Sequence, residues 1–260
     1  MFLYRNILNH GFFILNMSKI VLIGDVILDK YDYCSNRENP ESSAPCYTVE
    51  KTEYKPGGAG NVAANLSALG ADFELISVIG NDENAKILKK VLSDSKISCN
   101  LIVDDSRETI VKERTLSIHD GRYHFRKDKE RKQYIKENHT SEILNHFLDI
   151  ELIVISDYNK GVISERLIEK LKQTGKRIIA DFKPAHKHFY HDVFMMVPNI
   201  KEARQMSGLE NEIAAAEKLR DELRTRVLLK RSEKGISYFG LNGDDGLRFD
   251  FPAEAKKVFD

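Results

Sequence analysis

The spacing of apolar residues along this chain alternates between two patterns, and their order predicts the fold. Ile20-Val21-Leu22-Ile23-Gly24 is a continuous apolar run, which is typical of a strand covered on both faces of a parallel sheet. Similar runs predict strands at 73–80, 152–156, 177–181, 193–197 and 226–230, and helical spacing predicts helices at 84–92, 164–173, 201–206 and 212–224. This order predicts an α/β fold, in which a mostly parallel central sheet carries helices on both faces.

Other regions mix or alternate apolar and polar residues. Residues 109–126 alternate about Asp120-Gly121, a dipeptide that favours a hairpin turn. Residues 31–54 mix tyrosine, threonine and valine with polar residues, which indicates exposed strands. We expect these two regions to form a small β lid over the main sheet. A second hairpin is predicted at 235–251, with its turn near 242–246.

A glycine-rich stretch directly precedes a further predicted helix. Three glycines lie within residues 57–60, and the helix runs from Val62 to a C-cap at Gly70. Without Cβ atoms, the backbone of residues 57–60 can approach a ligand closely. The unpaired N–H groups at the start of the helix suit an anion or a ring of hydroxyls. Tight packing of the turn, with no ligand, is the alternative.

Composition narrows the classes of function. The 260 residues carry 40 Lys+Arg and 40 Asp+Glu, so we expect neither a nucleic acid nor a membrane as partner. The 3 cysteines match no disulfide or zinc pattern, which favours reduced thiols and a cytoplasmic location. Residues 18–260 are predicted to be one domain. Residues 1–17 are predicted to be a disordered or misassigned extension with Met17 as the true start, or alternatively a weak targeting segment.

Polar residues follow almost every predicted core strand. Ligands of open α/β sheets bind beyond the carboxyl ends of the strands, so these residues are candidates for a small-molecule site. Carboxylates accept hydrogen bonds from sugar hydroxyls or hold hydrated Mg²⁺, and lysine and arginine suit phosphates. The candidates are Asp25, Asp29, Ser156, Asp157, Asp181, Lys183, Asn199, Glu202, Lys230, Arg231 and Ser232.

The sequence lacks the motifs of two common classes of nucleotide-binding protein. It contains no GxxxxGK[ST] motif and no GxGxxG after the first strand, so a P-loop NTPase and a dinucleotide fold are not supported. His186, His188 and His191 are candidate metal ligands by residue type, but their loop context favours a solvated basic turn.

The segment from Gly57 to Asn65 resembles the first signature of the ribokinase/PfkB family of sugar kinases. Within that family, the chain from Lys19 onward resembles the heptose-7-phosphate kinase domains that form the N-terminal half of bifunctional ADP-heptose synthases. The matching pieces are Gly24-Asp25-Val26-Ile27-Leu28-Asp29-Lys30-Tyr31, Asn39-Pro40-Glu41, Ala44-Pro45, Ser156-Asp157-Tyr158, Lys160-Gly161, Pro198-Asn199 with Glu202, and Arg231-Ser232-Glu233 with Gly235. One departure is the pair Ser42-Ser43, which separates Glu41 from Ala44, whereas the corresponding two residues are adjacent in those kinases. The group that this loop contacts is therefore left open.

The resemblance implies a ribokinase-like fold and a kinase that uses ATP and Mg²⁺ to phosphorylate C1 of D-glycero-D-manno-heptose 7-phosphate, for ADP-heptose synthesis. It implies sugar contacts at Asp29, Gly57, Gly58, Asn61 and Asp157, and contacts to the sugar phosphate at Lys112, Arg114 and Arg126. It implies that Asn199 and Glu202 act near the ATP phosphates, with Glu202 holding Mg²⁺ through water. It implies that the nucleotide is bordered by Lys230, Arg231 and Gly235. Pairing of lid strands between subunits, as in this family, implies a homodimer.

The resemblance also implies that the general base lies in a Gly-Ala-Gly-Asp motif directly after Val258-Phe259-Asp260. No residue of this chain is therefore assigned that role, and we expect residues 1–260 alone to be inactive. No HxGH nucleotidyltransferase motif is present. Two alternatives stay open: a PfkB kinase for another sugar or sugar phosphate, and a non-catalytic sugar-binding or assembly protein that keeps the cleft and the lid.

Overall fold

A computed structural model describes residues 19–146, 150–244 and 248–254 of the chain. Its strands are β1 (Lys19–Gly24), β2 (Val26–Arg37), β3 (Cys46–Gly58), β4 (Phe73–Ile79), β5 (Cys99–Val103), β6 (Val111–Ser117), β7 (Tyr123–Lys129), β8 (Ile150–Asp157), β9 (Arg177–Phe182), β10 (Met195–Met196), β11 (Arg226–Lys230), β12 (Ile236–Phe239) and β13 (Arg248–Phe251). Its α-helices are α1 (Ala59–Ala68), α2 (Glu83–Asp94), α3 (Glu137–Leu144), α4 (Glu165–Gln173), α5 (Ile200–Ser207) and α6 (Glu212–Leu223). Two 3-10 helices, Pro184–Tyr190 and Ser232–Lys234, complete the described elements.

The main sheet has nine strands in the order β13-β12-β11-β10-β9-β8-β1-β4-β5. Seven neighbouring strands of this sheet are parallel, namely β5, β4, β1, β8, β9, β10 and β11. Strands β12 and β13 are added at the β11 edge in antiparallel orientation. Central strand β1 shows why its apolar run is continuous: Val21 and Ile23 pack into one hydrophobic core, and Ile20 and Leu22 pack into a second core. The predicted α/β fold, with helices on both faces of a mostly parallel sheet, is confirmed.

The lid is a separate four-stranded sheet in the order β3-β2-β6-β7. The predicted hairpin about Asp120-Gly121 joins β6 to β7, and Gly121 adopts a φ of 68° that suits glycine. The hairpin of β2 and β3 is longer than the predicted lid segment of residues 31–54, because it begins at Val26 and ends at Gly58. The glycine stretch is therefore the end of a lid strand that leads directly into α1.

One strand and one α-helix were not predicted, and both have weak sequence signals. Edge strand β5 has one fully buried side chain, Ile102, and α3 buries mainly His139, Thr140 and Ile143. Strand β10 is shorter than the predicted 193–197, at two residues. The predicted second hairpin is formed by β12 and β13, although residues 245–247 of its turn lie outside the described residues. Residues 1–17 also lie outside them, so the expected extension stays a prediction.

No helix in the described part of the chain is long and apolar enough to cross a bilayer.

A buried carboxylate joins the lid to the main sheet. Asp25 is the one residue between β1 and β2, and it is fully buried. Its side chain accepts hydrogen bonds from the backbone N–H groups of Tyr158 at 2.9 Å, Lys160 at 3.0 Å and Val162 at 3.0 Å. Its carbonyl oxygen accepts a hydrogen bond from the N–H of Ala59, at the start of α1. Asp25 therefore fixes the lid junction, the start of α1 and the loop after β8 relative to one another.

Replacing Asp25 should destabilise the whole domain. In Asp25→Asn, an amide NH₂ replaces one acceptor oxygen and faces N–H donors, so we expect the free energy of unfolding to fall by about 3 kcal/mol. Urea unfolding followed by circular dichroism measures this change. The matched control is Asp105→Asn, because Asp105 is exposed and its side chain accepts, among the described residues, one hydrogen bond, from the side chain of Asn81. That control should change stability by less than about 0.5 kcal/mol, and equal losses in the two variants would contradict the anchoring role.

Candidate active site

One face of the lid carries a carboxylate and several cations. Asp29 lies on β2 and forms an ion pair with Arg114 of β6, with 2.7 Å between Oδ1 and Nη1. Lys112 lies two residues before Arg114 and so shares its face, and Arg126 of β7 stands opposite Arg114 in register. The guanidinium of Arg114 also lies 5.0 Å from the ring centre of Tyr31. The lid thus places Asp29, Lys112, Arg114 and Arg126 on one face, where Arg126 is ion-paired with Asp128 at 2.8 Å. Contact of these residues with a sugar phosphate stays a prediction.

The glycines complete the junction between this surface and α1. A Cβ atom on Gly57 would lie 2.3 Å from Oδ2 of Asp29, so only glycine lets the carboxylate lie against β3. Gly58 is the N-cap of α1 and has a φ of 58°. The N-terminus of this helix has no side-chain cap and no acidic residue in its first turn. Asn61 is exposed in that first turn. Asp29, Gly57, Gly58 and Asn61 therefore lie at one junction, and their contacts with a sugar stay a prediction.

Asp157 has a different environment from the one expected. Its carboxylate is buried and accepts hydrogen bonds from Nδ1 of His186 at 2.7 Å, the hydroxyl of Tyr190 at 2.8 Å and the N–H of Asn159 at 2.8 Å. Direct contact of Asp157 with a sugar stays a prediction, and it would require these bonds to open. The prediction of a solvated basic turn is wrong for His186, which is 2% exposed, because this ring fills the space beside Asp157.

Two ion pairs lie at the carboxyl edge of the main sheet. Nζ of Lys183 is 2.6 Å from Oε1 of Glu202, and Nζ of Lys230 is 2.6 Å from Oδ2 of Asp181. Glu202 and Asn199 also form a capping box at the start of α5, because each side chain accepts a hydrogen bond from the other's backbone N–H. Partial burial acts against the charge on Lys183, but the Glu202 carboxylate raises the pKa of this ammonium overall. The predicted pair Asn199 and Glu202 is thus rigidly placed beside two cations.

Tyr158 connects the two charged surfaces. Its ring centre lies 5.4 Å from Nζ of Lys112 on the lid and 5.2 Å from Nζ of Lys183 at the sheet edge, both within the range of cation–π attraction. Burial lowers the pKa of Lys112 and raises that of Tyr158. In the described part of the chain, Lys112 forms no ion pair with a carboxylate. Sequence reasoning did not single out Tyr158, although it directly follows the end of β8.

The remaining predicted nucleotide residues contact other parts of the protein. Arg231 donates to Oε1 of Glu212 at 2.9 and 2.6 Å and to Oγ of Ser237 at 2.9 Å. Gly235 has a φ of 82°, and a Cβ atom there would lie 2.0 Å from the carbonyl oxygen of Phe251. The structure thus shows a structural reason for both residues, and their contact with a nucleotide stays a prediction.

The donor set at the sheet edge suits a hydrated metal ion better than a protein cage. No group of three or more His, Cys, Asp or Glu side chains that could hold a metal occurs within the described ranges. Asp181 and Glu202 are oxygen donors, but each is already paired with a lysine. Mg²⁺ commonly keeps several waters and binds through phosphates and one or two carboxylates. The arrangement therefore fits an ion carried by a nucleotide and touched by Glu202 through water.

Known proteins resemble this chain in sequence and in fold. The bifunctional protein HldE of Campylobacter curvus is 32% identical over 254 residues, which cover 93% of this chain and 53% of that protein. HldE of Histophilus somni is 32% identical over 260 residues, which cover 94% of this chain and 53% of that protein. The chain thus spans about half the length of the curated relatives it matches.

Solved structures share the fold at low sequence identity. The crystal structure of phosphofructokinase-2 from Escherichia coli in complex with fructose-6-phosphate superposes with a TM-score of 0.72 and 18% identity, over 94% of this chain and 82% of that chain. A carbohydrate kinase from Agrobacterium tumefaciens gives a TM-score of 0.65 and 18% identity, over 86% of this chain and 73% of that chain. The fold is therefore ribokinase-like. Residues 17–260 match the sequence model of the pfkB family carbohydrate kinases, and the chain belongs to that family of phosphotransferases.

Proposed function

We propose that this chain is the ATP-dependent kinase domain that phosphorylates C1 of D-glycero-D-manno-heptose 7-phosphate, in ADP-heptose synthesis. The observation that carries the proposal is the lid face on which Asp29 lies beside Gly57, pairs with Arg114 and shares its surface with Lys112 and Arg126. A carboxylate accepts hydrogen bonds from sugar hydroxyls, and the cations suit a phosphate that the sugar already carries.

The sheet edge supplies the second half of the site. Phosphoryl transfer depends mainly on positioning and on neutralising the phosphate charge. Lys183 and Lys230 would face the phosphates of ATP, while Glu202 orients water around Mg²⁺. When bound, Mg²⁺ would supply positive charge that neutralises the phosphates. The lid cation Lys112 and the edge cation Lys183 both lie within 5.4 Å of the centre of the Tyr158 ring, so the two substrates would meet beside it.

The choice of heptose over another sugar rests on sequence similarity. The curated relatives named HldE match nearly the whole chain at about 32% identity, whereas the solved sugar kinases match at about 18%. A PfkB kinase for another sugar phosphate would share the same lid cations. A non-catalytic sugar-binding protein would share the cleft. The lack of turnover expected of residues 1–260 also stays a prediction, so the decisive experiment measures binding.

The chain should bind heptose 7-phosphate in preference to other sugar phosphates. Isothermal titration with heptose 7-phosphate, fructose 6-phosphate and free heptose should give the highest affinity for the first. Asp29→Asn should weaken that binding by about 10-fold to 100-fold, because the amide is a poorer acceptor and loses its pair with Arg114.

The matched control for this variant is Asp32→Asn. Asp32 lies three residues further along β2, has a side-chain exposure of 13% against 15% for Asp29, and is ion-paired with Lys30. Since the two residues face opposite sides of the strand, the control should bind normally. Highest affinity for another sugar phosphate would favour the same-class alternative, and binding of none of them would contradict the proposal.

Lys112 should distinguish phosphorylated from free sugars. Lys112→Gln removes a half-buried ammonium that forms no direct ion pair within the described ranges, so affinity for the sugar phosphate should fall by about 10-fold while affinity for the free sugar changes little. Titrations of both ligands at low and high salt measure the effect. Lys127→Gln is the control, because Lys127 is 71% exposed and pairs loosely with Glu113. Equal losses for both sugars in Lys112→Gln would refute a phosphate contact.

The lid should also join two copies of the chain. Several of its large apolar side chains are exposed, including Val49 at 54%, Tyr123 at 61% and Phe125 at 50%, and unprotected sheet edges favour pairing. We expect a homodimer by sedimentation velocity, and Phe125→Glu should shift it to monomer. Phe249→Glu, on β13 of the main sheet and 46% exposed, should leave the dimer intact. A wild-type monomer at micromolar concentration would rule out this assembly.

A further inference from the structure

We infer that His186 is a positioning residue that fixes Lys183 at the edge of the cleft. A closed ring of three hydrogen bonds links His186, Lys183 and Asp157. The N–H of Lys183 donates to the carbonyl oxygen of Asp157 at 3.2 Å, and the N–H of His186 donates to the carbonyl oxygen of Lys183 at 2.9 Å. Nδ1 of His186 closes the ring by a hydrogen bond to Oδ2 of Asp157 at 2.7 Å. The backbone of Lys183 is therefore held from both sides.

The surroundings of the ring define the form in which His186 acts. Nε2 of His186 lies 3.3 Å from Nζ of Lys132 and 3.2 Å from the hydroxyl of Tyr134. An ammonium only donates, so Nε2 must accept, and the proton of a neutral imidazole is then on Nδ1. That tautomer donates to Asp157. The ring also stacks on Phe189 with 4.4 Å between centroids, which fixes its plane.

This ring of bonds controls groups that face the cleft. Asp157 begins the loop that carries Tyr158, and Lys183 precedes the 3-10 helix Pro184–Tyr190 that contains His186. With the backbone fixed, the ammonium of Lys183 reaches both Glu202 at 2.6 Å and the ring of Tyr158 at 5.2 Å. His186 is buried, and the predicted sugar residue that it contacts is Asp157, whose carboxylate is itself buried. An effect of His186 on a bound nucleotide would therefore pass through Lys183.

Three variants separate this role from simple packing. His186→Asn keeps an N–H donor close to the position of Nδ1, and His186→Phe keeps the ring and its stacking but loses the donor. His188→Phe is the matched control, because His188 lies on the same 3-10 helix, is exposed and packs edge-on against Phe189. If His186 acted by packing alone, His186→Asn would be the more impaired variant. If it acts by positioning Lys183, His186→Phe is the more impaired variant.

Hydrogen exchange of the ligand-free protein gives the first readout. In His186→Phe the backbone N–H groups of residues 183 and 186 should exchange about 10-fold faster than in the wild type, while the exchange rates of strand β8 are unchanged. His186→Asn should stay within about 3-fold of the wild type, and His188→Phe should match it. Wild-type protection of Lys183 in His186→Phe, or faster exchange in His186→Asn than in His186→Phe, would overturn the inference.

Titration with Mg·ATP gives the second readout and rests on the proposed kinase function. His186→Phe should weaken binding by about 10-fold, and adding it to Lys183→Met should cause no further loss, because both changes remove one interaction. Additive losses would show that His186 acts independently of Lys183. If the wild type does not bind Mg·ATP, the proposed function fails, and the exchange measurement still decides the positioning role.

Discussion

The buried carboxylate of Asp25 is the interaction on which the rest of the site depends. It accepts three backbone N–H groups from the loop after β8, and its own carbonyl accepts the N–H that starts α1. Burial raises the pKa of this carboxyl, while the backbone donors and Arg107 favour its charge. A group in this position cannot be exchanged for a neutral one without leaving donors unpaired. The lid, the glycine junction and Tyr158 all take their positions from it.

The charges of the cleft are arranged in two layers that meet at Tyr158. The lid layer holds Asp29 and Lys112, and the edge layer holds Lys183 with its partner Glu202. Within each layer most charges are paired at distances below 3 Å, which keeps them in place without a ligand. Preorganised charges of this kind favour phosphoryl transfer, because little rearrangement is needed when the phosphates bind.

Much of this architecture could be predicted from the sequence, because strong local patterns specify it. The continuous apolar run of β1 and the Asp120-Gly121 turn each predict one structure, and both are present. Strand β5 and helix α3 could not be found, since the one lies at a sheet edge and the other buries polar side chains such as His139. The environments of Asp157 and His186 could not be found either. Asp157 bonds to His186 and Tyr190, which both lie in a 3-10 helix, and only the folded chain brings that helix to the end of β8.

Asp25, Asp29 and Asp157 each follow a strand that the sequence predicts, and they look alike there. In the structure their environments differ, and so do the functions that they can have. Asp25 is buried and bound by backbone donors, so it can only hold the fold together. Asp157 is buried and bound by His186 and Tyr190, so these bonds would have to open before it could contact a sugar. Asp29 is 15% exposed, and its partner Arg114 is a side chain that can also turn to a phosphate. Of these three aspartates, Asp29 is the one with appreciable solvent access, so it is the one that we expect to meet a substrate.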